Sequence, residues 1–174
     1  MKPQAFTAQK WCNVSLYTGI ANFPAFLNLL GTRGVIVEDA VTRRGGPFEK
    51  PVHLSIHDFD KHIPVALVRL GDLFPEDIPE YGAILEAGEH VGLKVLHPLL
   101  PFCLAASHTL IGRGFLEDTK YPFPGQLVMA MDPRGGSILH IHEVAERSEG
   151  LMKIGKHGCF GFNPNTTLVF QVGS

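Results

Sequence analysis

The sequence is poor in cysteine. Its 174 residues contain three, Cys12, Cys103 and Cys159, which are too few for a disulfide scaffold. Because disulfides are characteristic of oxidising compartments, we expect a protein that works in a reducing cytoplasm.

Long apolar runs are also missing. The longest, at residues 96–104, is interrupted by Pro98 and Pro101, and it is too short to span a bilayer. Residues 1–10 lack the apolar centre of a signal peptide. The sequence therefore predicts neither membrane insertion nor a secretion signal.

Neither sign of charge is in excess. The 15 basic and 17 acidic residues give a net charge of −2, and a basic stripe of the kind that binds nucleic acid or a membrane surface is not evident. Charged residues make up only 18% of the chain. A surface so poor in charge is typical of a protein that covers part of it with a partner, so we expect a homo-oligomer or a subunit of a larger assembly. The strand predicted at residues 167–172 has no lysine or proline to protect an open edge, which makes it the expected point of pairing.

Length and apolar content indicate one domain over residues 1–174, with 45% hydrophobic residues. Residues 77–91 have helical spacing with Gly92 after them, and the apolar residues at 23–30 predict a second, short helix. Residues 93–106 are apolar on all sides and are expected to be buried, as an extended segment and then a short helix. Alternating or β-branched runs predict strands at residues 11–17, 34–42, 52–59, 126–131, 138–144, 151–155 and 167–172. The predicted fold class is α+β, a β-rich antiparallel sheet or small barrel with one main helix and a C-terminal β meander.

The turn at residues 132–136 is the strongest local signal. It reads Asp-Pro-Arg-Gly-Gly, with an aspartate at the first position, a proline next and glycines for positive φ. A tight hairpin here places Val128 near His140 and Gln126 near His142.

Two histidines on the returning strand form the candidate site. His140 and His142 alternate with apolar residues, so both project from one face of the sheet. Glu146 follows four residues later. Two imidazoles and a carboxylate are suitable ligands for one divalent transition metal ion, which is the predicted cofactor. The alternative is a pair of partly buried strand histidines without any ligand.

The pattern His140-x-His142-x-x-x-Glu146 resembles the first metal motif of the cupins, in which two histidines and a glutamate bind one metal ion. Gly135 and Gly150 do not have the cupin spacing. Only His157 follows to serve as the histidine of a second motif. The resemblance is confined to this stretch, so the family is not assigned.

Three other sets of residues are candidates for a chemical role. His53 and His57 share a strand face with Ser55 and precede Asp58, Asp60 and His62, and an aspartate beside a histidine can fix its tautomer. The alternative is a polar hairpin end. Cys103, near His108, lies in an apolar run that favours a buried, inert thiol. Cys159 follows Lys156 and His157, two neighbours able to lower its pKa. The alternative, favoured by its position in a glycine-rich turn or strand end, is a thiol without a catalytic role.

These observations support two classes of function. One is a small-molecule enzyme or binding protein that uses a histidine-rich site, with a divalent metal ion or without a cofactor, and no catalytic residue is assigned. The other is a structural subunit of a virion or other multi-subunit particle, without catalysis. The nine histidines favour the first class.

Overall fold

The computed structural model describes residues 8, 10–15, 23–43, 62–107, 126–144 and 151–173. The strand predicted at residues 52–59 lies outside these ranges. The described elements are, in chain order, β1 Lys10–Ser15, α1 Phe23–Thr32, β2 Val35–Val37, α2 Asp39–Thr42, β3 His62–Arg69, α3 Leu70–Leu73, α4 Tyr81–His90, β4 Leu93–Lys94, α5 Leu100–Ser107, β5 Gln126–Met129, β6 Ser137–Glu143, β7 Met152–Gly158 and β8 Thr167–Val172.

The eight strands described form one open, mixed sheet. Its order is β1-β3-β8-β5-β6-β7-β2, and β4 pairs with the end of β8. The α+β class with a β-rich sheet is confirmed, but a barrel is not. Two pairings are parallel, β2 with β7 and β5 with β8, so the sheet is not purely antiparallel. A single main helix is not confirmed either, because α1, α4 and α5 have 10, 10 and 8 residues.

The C-terminal meander is confirmed for three strands. β5, β6 and β7 pair antiparallel in chain order. The role predicted for the strand at residues 167–172 is wrong, since β8 is not an open edge. It pairs antiparallel with β3 and parallel with β5. All of its central residues are buried, which accounts for its lack of guarding charges.

Two predicted elements differ at their ends. The strand expected at residues 34–42 stops at Val37, and the short helix α2 begins at Asp39, where an acidic residue suits the first turn. The helix expected from residue 77 begins at Tyr81. Pro79 disfavours helical backbone before it, and Glu80 is still extended, with φ −62° and ψ 159°. Gly92, with φ 82°, follows the end of α4 as predicted.

Helix α5 is enclosed by the sheet. Its residues are buried around the whole helix apart from Ala106, as the all-apolar sequence predicts. It contacts β1, β6 and β7, although an eight-residue helix is only about 12 Å long. β1 and β7 are separated by four strands, so the sheet must curve around α5. Phe102 of α5 meets Phe26 of α1 edge-on, with centroids 6.2 Å apart.

The other face of the sheet carries the histidines. The pairings of Val128 with His140 and with Leu168 place these three side chains on one face. Phe170, two residues along β8, points the same way, and α4 packs over it. A Cβ at Gly88 of α4 would lie 2.8 Å from the Phe170 ring. The part of this face over β6 and β7, beyond α4, holds the candidate site.

None of the helices in the described ranges combines the length and apolar character needed to cross a membrane.

Candidate functional site

The register of β6 is fixed by the turn before it. Gly135 and Gly136 have φ of 58° and 73°, as the sequence predicts. Arg134 and Ser137 exchange two backbone hydrogen bonds, of 2.9 and 3.1 Å. The predicted register is confirmed, because Val128 pairs with His140 and Gln126 with His142.

β7 contributes the second half of the site. In the β6–β7 ladder His142 faces Lys153, His140 faces Gly155, and Ile138 faces His157. Residues that face each other across a ladder project to the same side of the sheet. His140, His142, Lys153 and His157 therefore share one face, on the side of the sheet above Gly155.

Three imidazoles lie in contact. The rings of His140 and His142 stack, with centroids 5.3 Å apart and an interplanar angle of 19°. The ring of His157 is edge-on to that of His140, at 5.9 Å and 79°. Because charge on either neighbouring ring would repel a proton on His140, the arrangement favours the neutral form of His140.

Glu38 joins the cluster from a distant part of the chain. Its backbone N–H donates to the carbonyl oxygen of Ile154 at 2.9 Å, which extends the pairing of β2 with β7 by one residue. Its carboxylate Oε1 then lies 3.1 Å from Nζ of Lys153. The carboxylate is thereby placed on the histidine face of β7.

Gly155 leaves room for two side chains. A Cβ at this position would lie 2.7 Å from Cε1 of His140 and 2.7 Å from Oε2 of Glu38. Both distances are shorter than real Cβ contacts. The imidazole and the carboxylate thus occupy the space that any other residue at position 155 would fill.

His140 is the most perturbed member of the cluster. Its Nδ1 is buried and has no hydrogen-bond partner among the described residues. Burial lowers the pKa of His140, and repulsion by His142 and His157 lowers it further, while Glu38 and the backbone of Lys156 act in the opposite direction. A buried polar atom left unsatisfied costs about 1–3 kcal/mol, so in native proteins such an atom usually has a partner, which can be a water molecule, an ion or a ligand.

The cluster is supported from the core by two aromatic rings. His157 stacks on Phe162, with centroids 5.5 Å apart and an angle of 9°. Phe162 in turn lies 5.7 Å from the buried ring of Tyr81. The histidine positions are therefore tied to α4 and to the interior of the domain.

The chemistry available is that of a neutral imidazole. In this form histidine accepts a proton or binds a transition metal ion. His140 and His142 are brought together as predicted, with their rings stacked. Glu146, the third predicted ligand, lies outside the described residues. Within the described ranges, no three His, Cys, Asp or Glu side chains are already arranged to hold a metal ion.

The other predicted groups contribute little to the described site. His53, Ser55, His57, Asp58 and Asp60 lie outside the described residues, while His62 begins β3. Cys103 is buried, as its apolar surroundings predict, and Ser107 donates a hydrogen bond to its carbonyl oxygen at 2.8 Å.

The prediction for Cys159 is wrong in direction. Burial raises the pKa of the Cys159 thiol, and neither Lys156 nor His157 offsets it. Its thiolate, the nucleophilic form, is therefore disfavoured.

The sequence analysis assigned no role to Glu38, and it considered His157 only as the histidine of a second cupin motif and as a neighbour of Cys159. The pairing of His157 with Ile138 follows from extending the meander, so its position was accessible from the sequence. Glu38 depends on the parallel pairing of β2 with β7, for which the sequence has no local signal. Comparisons with protein-family models, curated proteins and solved structures find no match to this chain.

Proposed function

We propose that the protein is a small-molecule enzyme or binding protein whose site is the histidine face of β6 and β7. The observation that supports this is His140, whose buried Nδ1 has no hydrogen-bond partner among the described residues and whose ring lies beside two further imidazoles. An unsatisfied polar group of this kind does not help the core to pack, and it lowers the stability of the folded state. A ligand that engages the ring would offset that cost.

The ligand that fits this donor set is a divalent transition metal ion, held by His140 and His142 with Glu146. Imidazole nitrogen and carboxylate oxygen are the usual ligands of zinc and related ions, and imidazole binds them in its neutral form. The lowered pKa of His140 favours that form at neutral pH. In this site the ion would act as a Lewis acid or would orient a bound small molecule.

Metal analysis tests the proposal directly. We expect the untreated, purified protein to carry about one transition ion per chain, since the two histidines form a single site. After treatment with a chelator, added zinc, nickel, manganese or iron should raise the unfolding temperature, because binding to the native state alone increases stability. Native protein without metal, together with no thermal shift from any of these ions, would rule out the metal site.

A matched pair of variants separates the site from histidines elsewhere. The double variant His140→Ala/His142→Ala should lose both the metal and the thermal shift. The control His62→Ala/His90→Ala removes two exposed histidines from β3 and α4, and it should retain both. Equal losses in the two double variants would mean that the metal binds adventitiously to surface imidazoles.

We also propose that the protein self-associates, on the basis of its low charged fraction. Because β8 is internal, the contact must use another surface. Light scattering should give a mass above the 19.0 kDa of one chain, and a monomer at micromolar concentration would contradict self-association. The structural-subunit alternative loses the open C-terminal edge that motivated it.

A further inference from the structure

The ring of His157 is held by three contacts. Its Nδ1 lies 2.5 Å from the backbone carbonyl oxygen of Gly158. The ring stacks on that of Phe162, with an interplanar angle of 9°, and it meets the ring of His140 edge-on. One hydrogen bond and two ring contacts therefore set the direction in which the second nitrogen of His157, Nε2, points.

The contact with Gly158 also decides which nitrogen of His157 carries the proton. A carbonyl oxygen can only accept a hydrogen bond, so Nδ1 is the donor. In a neutral imidazole one nitrogen donates and the other accepts, and the hydrogen bond made by the first nitrogen selects the tautomer. Nε2 of His157 is therefore the nitrogen with a free lone pair.

This lone pair is accessible. The described residues form no hydrogen bond with Nε2 of His157. In the same part of the chain, the one side-chain nitrogen or oxygen that is both buried and without a partner is Nδ1 of His140. Nε2 of His157 is thus in contact with solvent, and the residue as a whole is half-buried. The histidine face offers an oriented acceptor at the boundary between core and solvent.

The surroundings of His157 favour a neutral aromatic ligand. Lys153 and Glu38, the charged groups beside the histidines, are paired with each other at 3.1 Å, so they offset each other's charge. The rings of His140 and Phe162 border His157, and aromatic rings pack favourably against a further ring. A flat, uncharged ring that carries a hydrogen-bond donor matches both the acceptor and its neighbours.

We propose that Nε2 of His157 is the hydrogen-bond acceptor of the histidine face, and that its ligand is a small neutral aromatic molecule with an O–H or N–H donor. This inference rests on the proposed small-molecule function and is independent of the metal ion. His157 contacts the ligand, while Phe162 and the Gly158 carbonyl position its ring. Phenol is the simplest probe of this class. Anisole is the matched control, because it has the same ring and oxygen without the donor.

The first measurement is the tautomer. Long-range proton–nitrogen NMR of the isotope-labelled full chain is recorded at about pH 8, where an ordinary imidazole is neutral. We expect the His157 proton on Nδ1, and the His157→Phe variant identifies the signal by its loss. A proton on Nε2 would overturn the inference, because the acceptor would then be absent.

The second measurement is a titration with phenol and with anisole, followed by the same NMR signals. Phenol should bind more tightly than anisole and should shift Nε2 of His157. His157→Phe keeps a ring beside Phe162 but removes the acceptor. It should weaken phenol binding about two- to tenfold, the effect of losing one hydrogen bond between neutral groups, and leave the affinity for anisole unchanged.

His90→Phe is the control variant. Nδ1 of His90 also lies near a carbonyl oxygen, that of Glu86 at 2.7 Å, but His90 is on α4 and outside the histidine face. This variant should bind phenol as the unmodified protein does. If His157→Phe and His90→Phe bind phenol equally tightly, the assignment of His157 is overturned.

The remaining outcomes separate this inference from the proposal beneath it. If phenol shifts His142 and not His157, the histidine face remains a ligand site and the acceptor assignment is overturned. If phenol shows no advantage over anisole, or neither binds, the ligand class is overturned, while the metal analysis tests the proposed function separately. Circular dichroism shows whether His157→Phe folds, and if it does not, the tautomer and the preference for phenol in the unmodified protein decide.

Discussion

Tyr81 and Met131 are joined by two hydrogen bonds through a single hydroxyl group. The Tyr81 hydroxyl donates to the carbonyl oxygen of Met131 at 2.7 Å and accepts from the backbone N–H of Met131 at 2.9 Å. Both residues are buried. The pair fixes the start of α4 against the segment that follows β5, and Phe162 connects the same tyrosine ring to the histidine cluster.

Removal of this hydroxyl should be costly. Tyr81→Phe leaves a buried donor and a buried acceptor unsatisfied, so we expect the free energy of unfolding to fall by about 1–3 kcal/mol. Thr32→Ala is the control, because the Thr32 hydroxyl bonds the carbonyl oxygen of Leu29 at an exposed site, where a change within about 0.5 kcal/mol is expected. Urea unfolding measures both. A Tyr81→Phe variant as stable as the unmodified protein would mean that water replaces the hydroxyl.

Two glycines of α4 should respond in opposite directions to alanine. Around Gly82 nothing lies within 4 Å of an added Cβ, so Gly82→Ala should stabilise the protein by up to about 1 kcal/mol through helix propensity. At Gly88 the Cβ would lie 2.8 Å from the fully buried ring of Phe170. Overpacking of this kind costs about 1–3 kcal/mol. Chemical denaturation of both variants gives the comparison, and stabilisation by Gly88→Ala would show that α4 can move away from the sheet.

Substitutions of Gly135, in the turn before β6, should destabilise the protein through its positive φ and not through steric contacts. Nothing lies within 4 Å of a Cβ built on Gly135, whose φ is 58°. Gly135→Val should therefore destabilise by roughly 1 kcal/mol or more, because a β-branched residue disfavours positive φ. Gly135→Asn should cost less, since asparagine tolerates this conformation. Equal unfolding midpoints for the two variants would contradict this explanation.

The stability of the metal-free protein should decrease on mild acidification. The pKa of His140 is lowered in the folded state by burial and by the neighbouring histidines, whereas an unfolded imidazole titrates near 6.5. The unfolded chain therefore binds the proton more tightly, and stability is lost as the pH falls from about 6.5 towards the folded-state pKa. For this one proton the loss cannot exceed about 1.4 kcal/mol per pH unit.

Urea unfolding at about pH 7.5 and about pH 5.5, on either side of the imidazole pKa, measures this effect. His140→Leu should show a smaller difference between the two pH values than the unmodified protein. His90→Leu, which replaces an exposed histidine of α4, should keep the full difference. If His140→Leu loses as much stability as the unmodified protein, the acid sensitivity comes from other groups.

The sequence predicts the parts of this fold that depend on local signals. The Asp-Pro-Arg-Gly-Gly turn specifies both positive φ values and the register that aligns His140 with Val128. The bounds of β8 also agree with the prediction, because six alternating or β-branched residues are enough to define a strand. Local signals do not predict which strands become neighbours in the sheet. The insertion of β8 between β3 and β5 and the parallel pairing of β2 with β7 join segments far apart in the chain.

The candidate site also combines residues that local sequence signals predict with residues whose positions depend on pairings between distant strands. His140 and His142 come from one strand, so their shared face follows from alternation alone. Glu38 reaches them only because its backbone extends the β2–β7 pairing. Gly155 gave no local signal of its importance, since a glycine in a strand identifies a close approach only when the approaching groups are known.

The position of β8 has a consequence for how the chain acquires its structure. Within the described residues, β8 is the strand whose backbone bonds link the β1–β3 pair to the β5–β6–β7 meander. During synthesis the β1–β3 pair and the meander therefore cannot be joined, and the edges of β3 and β5 stay unpaired, until residues 167–172 have left the ribosome. Contacts between segments so distant in sequence form slowly. The exposed edges make this interval the time at which the chain is most prone to aggregate or to require a chaperone.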